Sequence, residues 1–293
     1  MRLTQAIQNV SDTAFMVAGF RALEAERPRP LFRDPLAWKL AGDHGRKILA
    51  TIPRRFVGWS VVIRTVIIDA FIHQAIEAGV DTIINLGAGL DTRPYRMDLP
   101  KSLDWIEVDF PHVIELKEAR LADEEPRCRL ERIKFDLTDR VLRQKFFADV
   151  GARAKEVLVL TEGVIPYLSE DDVAALADDL RKADKIRFWI TDYFSPQAIR
   201  YSEKLRARFM ANAPFRFAPK DWFGFFAGHG WNVQEVRYIV EEAERLGRPI
   251  PLPALMKAWM KLVGFFASRT RRERMRRFAA YVLLVPKERD HSA

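Results

Sequence analysis

Three acidic residues and one arginine stand at intervals that suit a nucleotide-type site. A glycine turn, Gly87-Ala88-Gly89, follows the apolar run Thr82-Ile83-Ile84-Asn85-Leu86. Glycine allows a sharp turn and close backbone approach to a ligand with no Cβ in the way, and an Ile-Ile run suits a strand buried on both faces. Asp109 follows Gly89 by 20 residues, the spacing at which a doubly wound fold offers a carboxylate to ribose hydroxyls. It could also cap the helix expected over residues 112–121. Asp136 and Leu137 end the next short run, placed to meet a base amine and a base face, and Glu162 with Gly163 ends the run after that. Upstream, Arg64 interrupts a nearly continuous apolar helix, and a charge on such a surface is either paired or aimed at a ligand.

The elements that must hold these residues can be read from periodicity. Residues 4–23 carry an apolar stripe near period 3.6, with Arg21 beside it, and predict a helix. Asp34 as cap and Pro35 at the first helical position open a second helix to about Leu40. Residues 54–78 form a long apolar helix, broken only by Arg64 and Asp69 and ended by Gly79. Strands are expected at 82–86, 103–111, 133–137, 156–160, 187–194, 230–240 and 279–286. Pro94 makes any helix after the glycine turn late or short, and Ser169 caps a helix to about Lys182. Alternation of helix and strand argues for a parallel sheet covered on both faces. Residues 195–229, rich in Phe, Arg and Trp, break that rhythm and predict an inserted helical lobe over the site. The expected organisation is one domain: N-terminal helices over 1–78, a cofactor-binding core over 80–194, the lobe, and closing strands with a basic helical segment over 230–293.

Composition narrows the function classes. The 293 residues are 48% hydrophobic and 30% charged, ordinary for a soluble globular chain, with a net charge of +8. A single cysteine, Cys128, excludes an internal disulfide and suits a reducing compartment. With no long uncharged apolar run and no signal-peptide core, a cytoplasmic location is expected. The basic run from Arg269 to Arg277 could grip nucleic-acid phosphates or, behind Trp259, Phe265 and Phe266, an anionic membrane surface. The interleaved Glu273 favours a solvated helix face. That argues against nucleic acid and leaves open a peripheral membrane contact through 252–277 or a homodimer.

Four ordered motifs together resemble the leucine carboxyl methyltransferase family, more narrowly its bacterial S-adenosylmethionine-dependent branch. They are Asn85-Leu86-Gly87-Ala88-Gly89-Leu90-Asp91-Thr92-Arg93, Val108-Asp109-Phe110-Pro111, Phe135-Asp136-Leu137 and Glu162-Gly163-Val164-Ile165-Pro166-Tyr167-Leu168. The resemblance covers about residues 11–200 and, more loosely, the closing strands. It implies a Rossmann-like seven-stranded sheet, mostly parallel with the last strand antiparallel, and S-adenosyl-L-methionine as cofactor. By the same resemblance Arg64 and Arg21 hold the methionine carboxylate, and Gly87 and Gly89 lie against the cofactor. Asp109 takes the ribose, Asp136 and Leu137 the adenine, and Glu162 the methionine amino group. The turn lacks the third glycine of a dinucleotide fingerprint, which weakens the alternative of an NAD(P)-dependent oxidoreductase.

The implied reaction is methyl transfer to an oxygen of a small-molecule or peptide substrate. A carboxylate acceptor needs no base at neutral pH, whereas a hydroxyl needs one. Tyr167 and Tyr193 are the substrate-positioning candidates, with His112 and His229 as further candidate bases.

Overall fold

The computed structural model describes residues 10–52, 54–201, 214–253, 273 and 276–288. Three helices precede the sheet: α1 (Val10–Ala25), α2 (Ala37–Thr51) and α3 (Arg54–Glu77). The predicted cap of the second helix does not form. Leu36 takes that place with no side-chain bond, while Asp34 Oδ2 accepts from Arg21 Nε at 2.8 Å and Thr92 Oγ1 at 2.7 Å. A guanidinium is a stronger partner for a buried carboxylate than a helix-end amide. α2 also runs beyond the predicted end at about Leu40 to Thr51, across a break at Gly42 (φ 56°, ψ −160°).

α3 is apolar and long enough, by length and composition alone, to cross a bilayer, with an 18-residue window of mean hydropathy 1.6. Here it serves as a core helix. Ile63, Ile67, Ile68, Phe71 and Ile72 are each at most 1% exposed and pack on one face of the sheet.

The sheet is built from β1 (Thr82–Leu86), β2 (Asp104–Asp109), β3 (Arg129–Lys134), β4 (Val157–Thr161), β5 (Ile186–Phe194), β6 (Trp231–Tyr238) and β7 (Ala279–Pro286). Its order is β3-β2-β1-β4-β5-β7-β6. The first five strands are parallel, and β7 runs antiparallel to both neighbours. Strand order reverses between β1 and β4, which opens a crevice at their carboxyl ends. The described helices after the first strand include α4 (Arg93–Arg96), α5 (Pro111–Arg120), α6 (Arg140–Arg153), α7 (Glu170–Lys182), α8 (Trp222–Gly228) and α9 (Ile239–Arg245). α4 is a single turn with a proline at its start, as Pro94 predicts.

β3 lies earlier than expected. It pairs with β2 from Asp104↔Arg129 to Asp109↔Lys134, so Phe135 and Asp136 fall on the loop beyond it. As an edge strand it exposes Arg129, Glu131 and Lys134, and this charged alternation hides it from a search for buried apolar runs.

Successive strand residues feed two cores, one on each face. Ile84, Ile106, Val159 and Trp189 meet α6, α7 and α8 on one face. Ile83, Trp105, Leu158 and Ile190 meet α3 and α9 on the other. α8 belongs to the first core, since Phe226 is fully buried and Trp222 nearly so. The aromatic segment 195–229 is therefore divided. Ala198, Tyr201, Phe215 and Arg216 line the crevice cavity, α8 packs beneath the sheet, and residues 202–213 lie outside the described residues.

Candidate functional site

The glycine turn folds back across the end of β2. Gly87 N and Ala88 N donate to Val108 O at 2.8 and 3.1 Å, and Gly89 N donates to Asp109 Oδ2 at 2.6 Å. Gly87 and Gly89 have φ of 67° and 49°, values that strain any residue with a Cβ. A Cβ on Gly87 would also sit 2.4 Å from Val164 Cγ2. Asp109 further accepts from Phe110 N at 2.7 Å, so α5 starts without a side-chain cap and the carboxylate stays in the crevice. Burial raises the Asp109 pKa against the pull of these two amides.

Beside the turn lies a chain of buried ion pairs. Glu162, one residue beyond β4, is held at 2.7 Å by Arg64 Nε and at 2.7 Å by Arg93 Nη1. Arg93 reaches Asp91 at 2.8 Å and Asp69 at 2.6 Å. Asp91 also accepts from Asn85 Nδ2 at 2.9 Å, and Asp69 pairs with Arg96 at 2.7 Å. Burial works against the Glu162 carboxylate, but Arg93 and Arg64 outweigh it and hold its pKa below the ordinary value. Arg64, buried yet facing Glu162, Tyr281 and Asp192, has its pKa raised. Asp192, near the end of β5, accepts from Gly163 N at 2.8 Å. Burial pushes its pKa up to about 6, with Arg64 and that amide recovering only part of the loss.

Of these groups Arg64, Asn85, Asp91, Asp109, Glu162 and Tyr281 border a cavity of about 850 Å³, near the top of the ~300–1,000 Å³ range of small-molecule sites. Arg64, Gly87, Gly89, Asp109, Asp136, Leu137, Glu162 and Tyr167 all line it. Arg21 also lines it but is committed elsewhere. It binds Asp34 at 2.8 Å and the Leu90 carbonyl, fastening α1 to the loop after the glycine turn. Asp136 is exposed and accepts from Thr138 N and Oγ1 at 2.9 and 2.8 Å. Tyr193 points away: its ring stacks on Phe223 at 5.1 Å, against the core on the other face of β5. His112 meets Ser11 at 3.0 Å and His229 meets Asp178 at 2.7 Å. Neither histidine lines the cavity. Of the basic run, Arg276 pairs with Glu244 and Arg277 lies over Tyr238. The run's other arginines lie outside the described residues.

The sequence reading missed Asp91, Arg93, Asp192 and Tyr281 as parts of this assembly. Asp192 carries the same signal as Asp109 and Glu162, an acid at a strand's carboxyl end. Arg93 gives no such local sign, because apart from its neighbour Asp91 its partners lie on α3 and beyond β4.

The donor set fits a nucleoside with a zwitterionic tail. Two glycines that let a ligand approach the backbone and a carboxylate line the cavity together with apolar Val113, Phe135 and Leu137, and an arginine-glutamate pair supplies both signs of charge.

A leucine carboxyl methyltransferase family model matches residues 14–181. A Streptomyces avermitilis protein named as a candidate S-adenosyl-L-methionine-dependent methyltransferase is 34% identical over 253 residues, covering 82% of this chain and 89% of its own. A similarly named Streptomyces coelicolor protein is 32% identical, covering 81% and 88%. The crystal structure of a candidate methyltransferase from Thermobifida fusca shares the fold at 16% identity, with a TM-score of 0.57 over 97% of this chain and 96% of its own.

Proposed function

Because the chain belongs to the leucine carboxyl methyltransferase family and is an S-adenosylmethionine-dependent methyltransferase, we propose that it methylates an oxygen, and that this oxygen belongs to a carboxylate. In this reading Arg64 and Glu162 hold the two charges of the cofactor's methionine end, Asp109 the ribose, and Leu137 with Val113 and Phe135 the adenine. Asp136 meets the base edge from the rim. Arg93 keeps Glu162 ionised and aimed, and Arg21 acts on the cofactor's place only through the loop it fastens.

When bound, S-adenosylmethionine supplies an electrophilic sulfonium methyl. The protein has to align an oxygen with it and exclude water. The observation that carries the carboxylate reading is the make-up of the cavity wall. Among the described residues no histidine, lysine or cysteine lines it, and its acids are Asp91, Asp109, Asp136, Glu162 and Asp172. Asp91 and Glu162 are held by arginines, Asp109 and Asp136 accept hydrogen bonds from backbone N–H groups, and Asp172 is held by the capping box of α7. A hydroxyl acceptor would need a base, and beyond those acids the described wall offers the phenols of Tyr167, Tyr201 and Tyr281, a group that makes a poor proton acceptor near neutral pH, whereas a carboxylate is already ionised there.

The test is to supply methyl-labelled S-adenosylmethionine with a panel of acids and alcohols and to treat the products with alkali. Methyl esters release volatile labelled methanol, and the transfer rate should be flat between pH 6 and 9. Alkali-stable methyl ethers, or a rate that climbs with pH across that range, would contradict the proposal.

A further inference from the structure

The cavity lining combines two kinds of residue. Charged groups come with the glycine turn and the strand ends beside it, Asp91, Asp109 and Glu162 with Arg64. A second wall is built from Phe56 and Trp59 of α3, Phe194 at the end of β5, and Phe215, Leu252 and Phe278. Polar atoms on this wall are few and partly engaged. Trp59 Nε1 donates to Arg248 O at 2.7 Å, so the indole offers the cavity only its apolar surface, and Ser60 Oγ donates to Val57 O at 2.8 Å.

Among the described residues one cation stands beside this wall. Of the three described arginines lining the cavity, Arg21 and Arg64 are ion-paired, whereas Arg216 is exposed and has no ion-pair partner among the described residues. Its position is fixed through the backbone. Arg216 N and Phe217 N both donate to Pro166 O, at 2.8 and 3.3 Å. Pro166 belongs to the single 3-10 turn Ile165–Tyr167 that follows Glu162 and Gly163. Phe215 meets Tyr167 edge-on at 5.6 Å and packs on Phe194 at 5.1 Å. The segment bearing Arg216 is thereby tied to the same loop that carries Glu162.

Resting on the carboxylate reading above, we propose that the acceptor is a small monoanionic acid with an apolar body, an aromatic or long-chain carboxylic acid, and that Arg216 selects its carboxylate. A peptide acceptor suits this wall poorly. Each peptide unit brings an N–H and a C=O, and every one left unpaired in an apolar site weakens binding. An alkyl or ring body brings no such groups and gains from leaving water. Placing the one acidic oxygen by a guanidinium suits Arg, whose planar fork matches a carboxylate bidentately.

Calorimetric titration separates this from the underlying reading. S-adenosylhomocysteine is titrated first. Its failure to bind overturns the cofactor assignment and the acceptor proposal with it. With that ligand saturating, 2-naphthoate and dodecanoate are compared with 2-naphthalenemethanol, dodecanol and a leucine-ended tripeptide. At least one acid should bind at least tenfold more tightly than its alcohol and than the tripeptide. Arg216→Ala should remove about that tenfold preference, and Arg216→Lys should restore part of it, with S-adenosylhomocysteine affinity unchanged in both variants. Acid and alcohol binding alike, Arg216→Ala leaving the preference intact, or the tripeptide binding best would each overturn the proposal.

Discussion

Glu107, fully buried, and Glu162, partly buried, are both carboxylates held between two cations, yet only Glu162 faces a cavity. Glu107 lies within β2, reached by Lys117 Nζ at 2.6 Å and Arg132 Nε at 2.9 Å, and its side chain and that of Lys117 are fully buried. Arg132 continues to the Tyr95 hydroxyl at 2.6 Å, and none of these four residues lines the cavity. Glu162 sits one residue beyond β4 with 12% of its side chain accessible, and it shares the wall with Arg64. A charge in mid-strand faces a covering helix and is neutralised internally. A charge past the carboxyl end faces the crevice. Burial and pairing alone do not separate the two cases, because structural networks perturb charged groups as strongly as functional ones.

This contrast can be broken or sharpened by substitution. The largest effect is expected from Glu107→Gln, which leaves Lys117 buried with a neutral partner. It should cost on the order of 3–5 kcal/mol in denaturant unfolding and leave the S-adenosylhomocysteine affinity of the folded protein unchanged. A fall in affinity would place the Glu107 cluster in the site after all.

Next comes a pH effect at Asp192. Its folded pKa of about 6 exceeds the ordinary 3.8, so between these values the folded state binds more protons than the unfolded state. Its contribution to stability is complete below about pH 4 and is lost as pH rises through 6. Asp192→Asn should remove that loss, so the variant's stability relative to wild type should improve by up to about 3 kcal/mol from pH 4 to pH 7.5. Asp69, Asp91 and Glu162, whose pKa values are lowered, lose their contributions in the opposite direction as pH falls. They are present in both proteins and largely cancel. Thermal unfolding across that range checks the prediction, and parallel curves would refute it.

Glu162→Gln should weaken S-adenosylhomocysteine binding by about 1.5–3 kcal/mol, the range for a hydrogen bond to a charged group. Its stability loss should be smaller than that of Glu107→Gln, because Arg64 lines the crevice, where water can reach it, and Arg93 keeps Asp91 and Asp69 as partners. The smallest effect is expected from Tyr193→Phe: transfer rate unchanged and stability within about 0.5 kcal/mol, since that ring packs on Phe223 away from the cavity.

The same distinction explains what could be read from the sequence. β1 and β4 are buried at every position, and such runs stand out without any tertiary knowledge. Gly87, Gly89, Asp109 and Glu162 were legible because the fold fixes their distance from strand ends. β3 was displaced because an edge strand alternates charge, and Asp34 was taken for a cap because its real partner, Arg21, lies on another helix. Arg93, Asp91 and Tyr281 take their places through contacts between distant segments. A local pattern shows that such residues are charged or polar but not whom they meet.

The central claim is that the carboxylate after β2 and the ion pairs beside the glycine turn form a cofactor site. Calorimetric titration of S-adenosylhomocysteine into the wild-type protein and into Asp109→Ala tests it most directly. One equivalent bound by the wild type, with at least a tenfold loss of affinity in the variant, is the expected result. Equal affinity in the two proteins would contradict the claim.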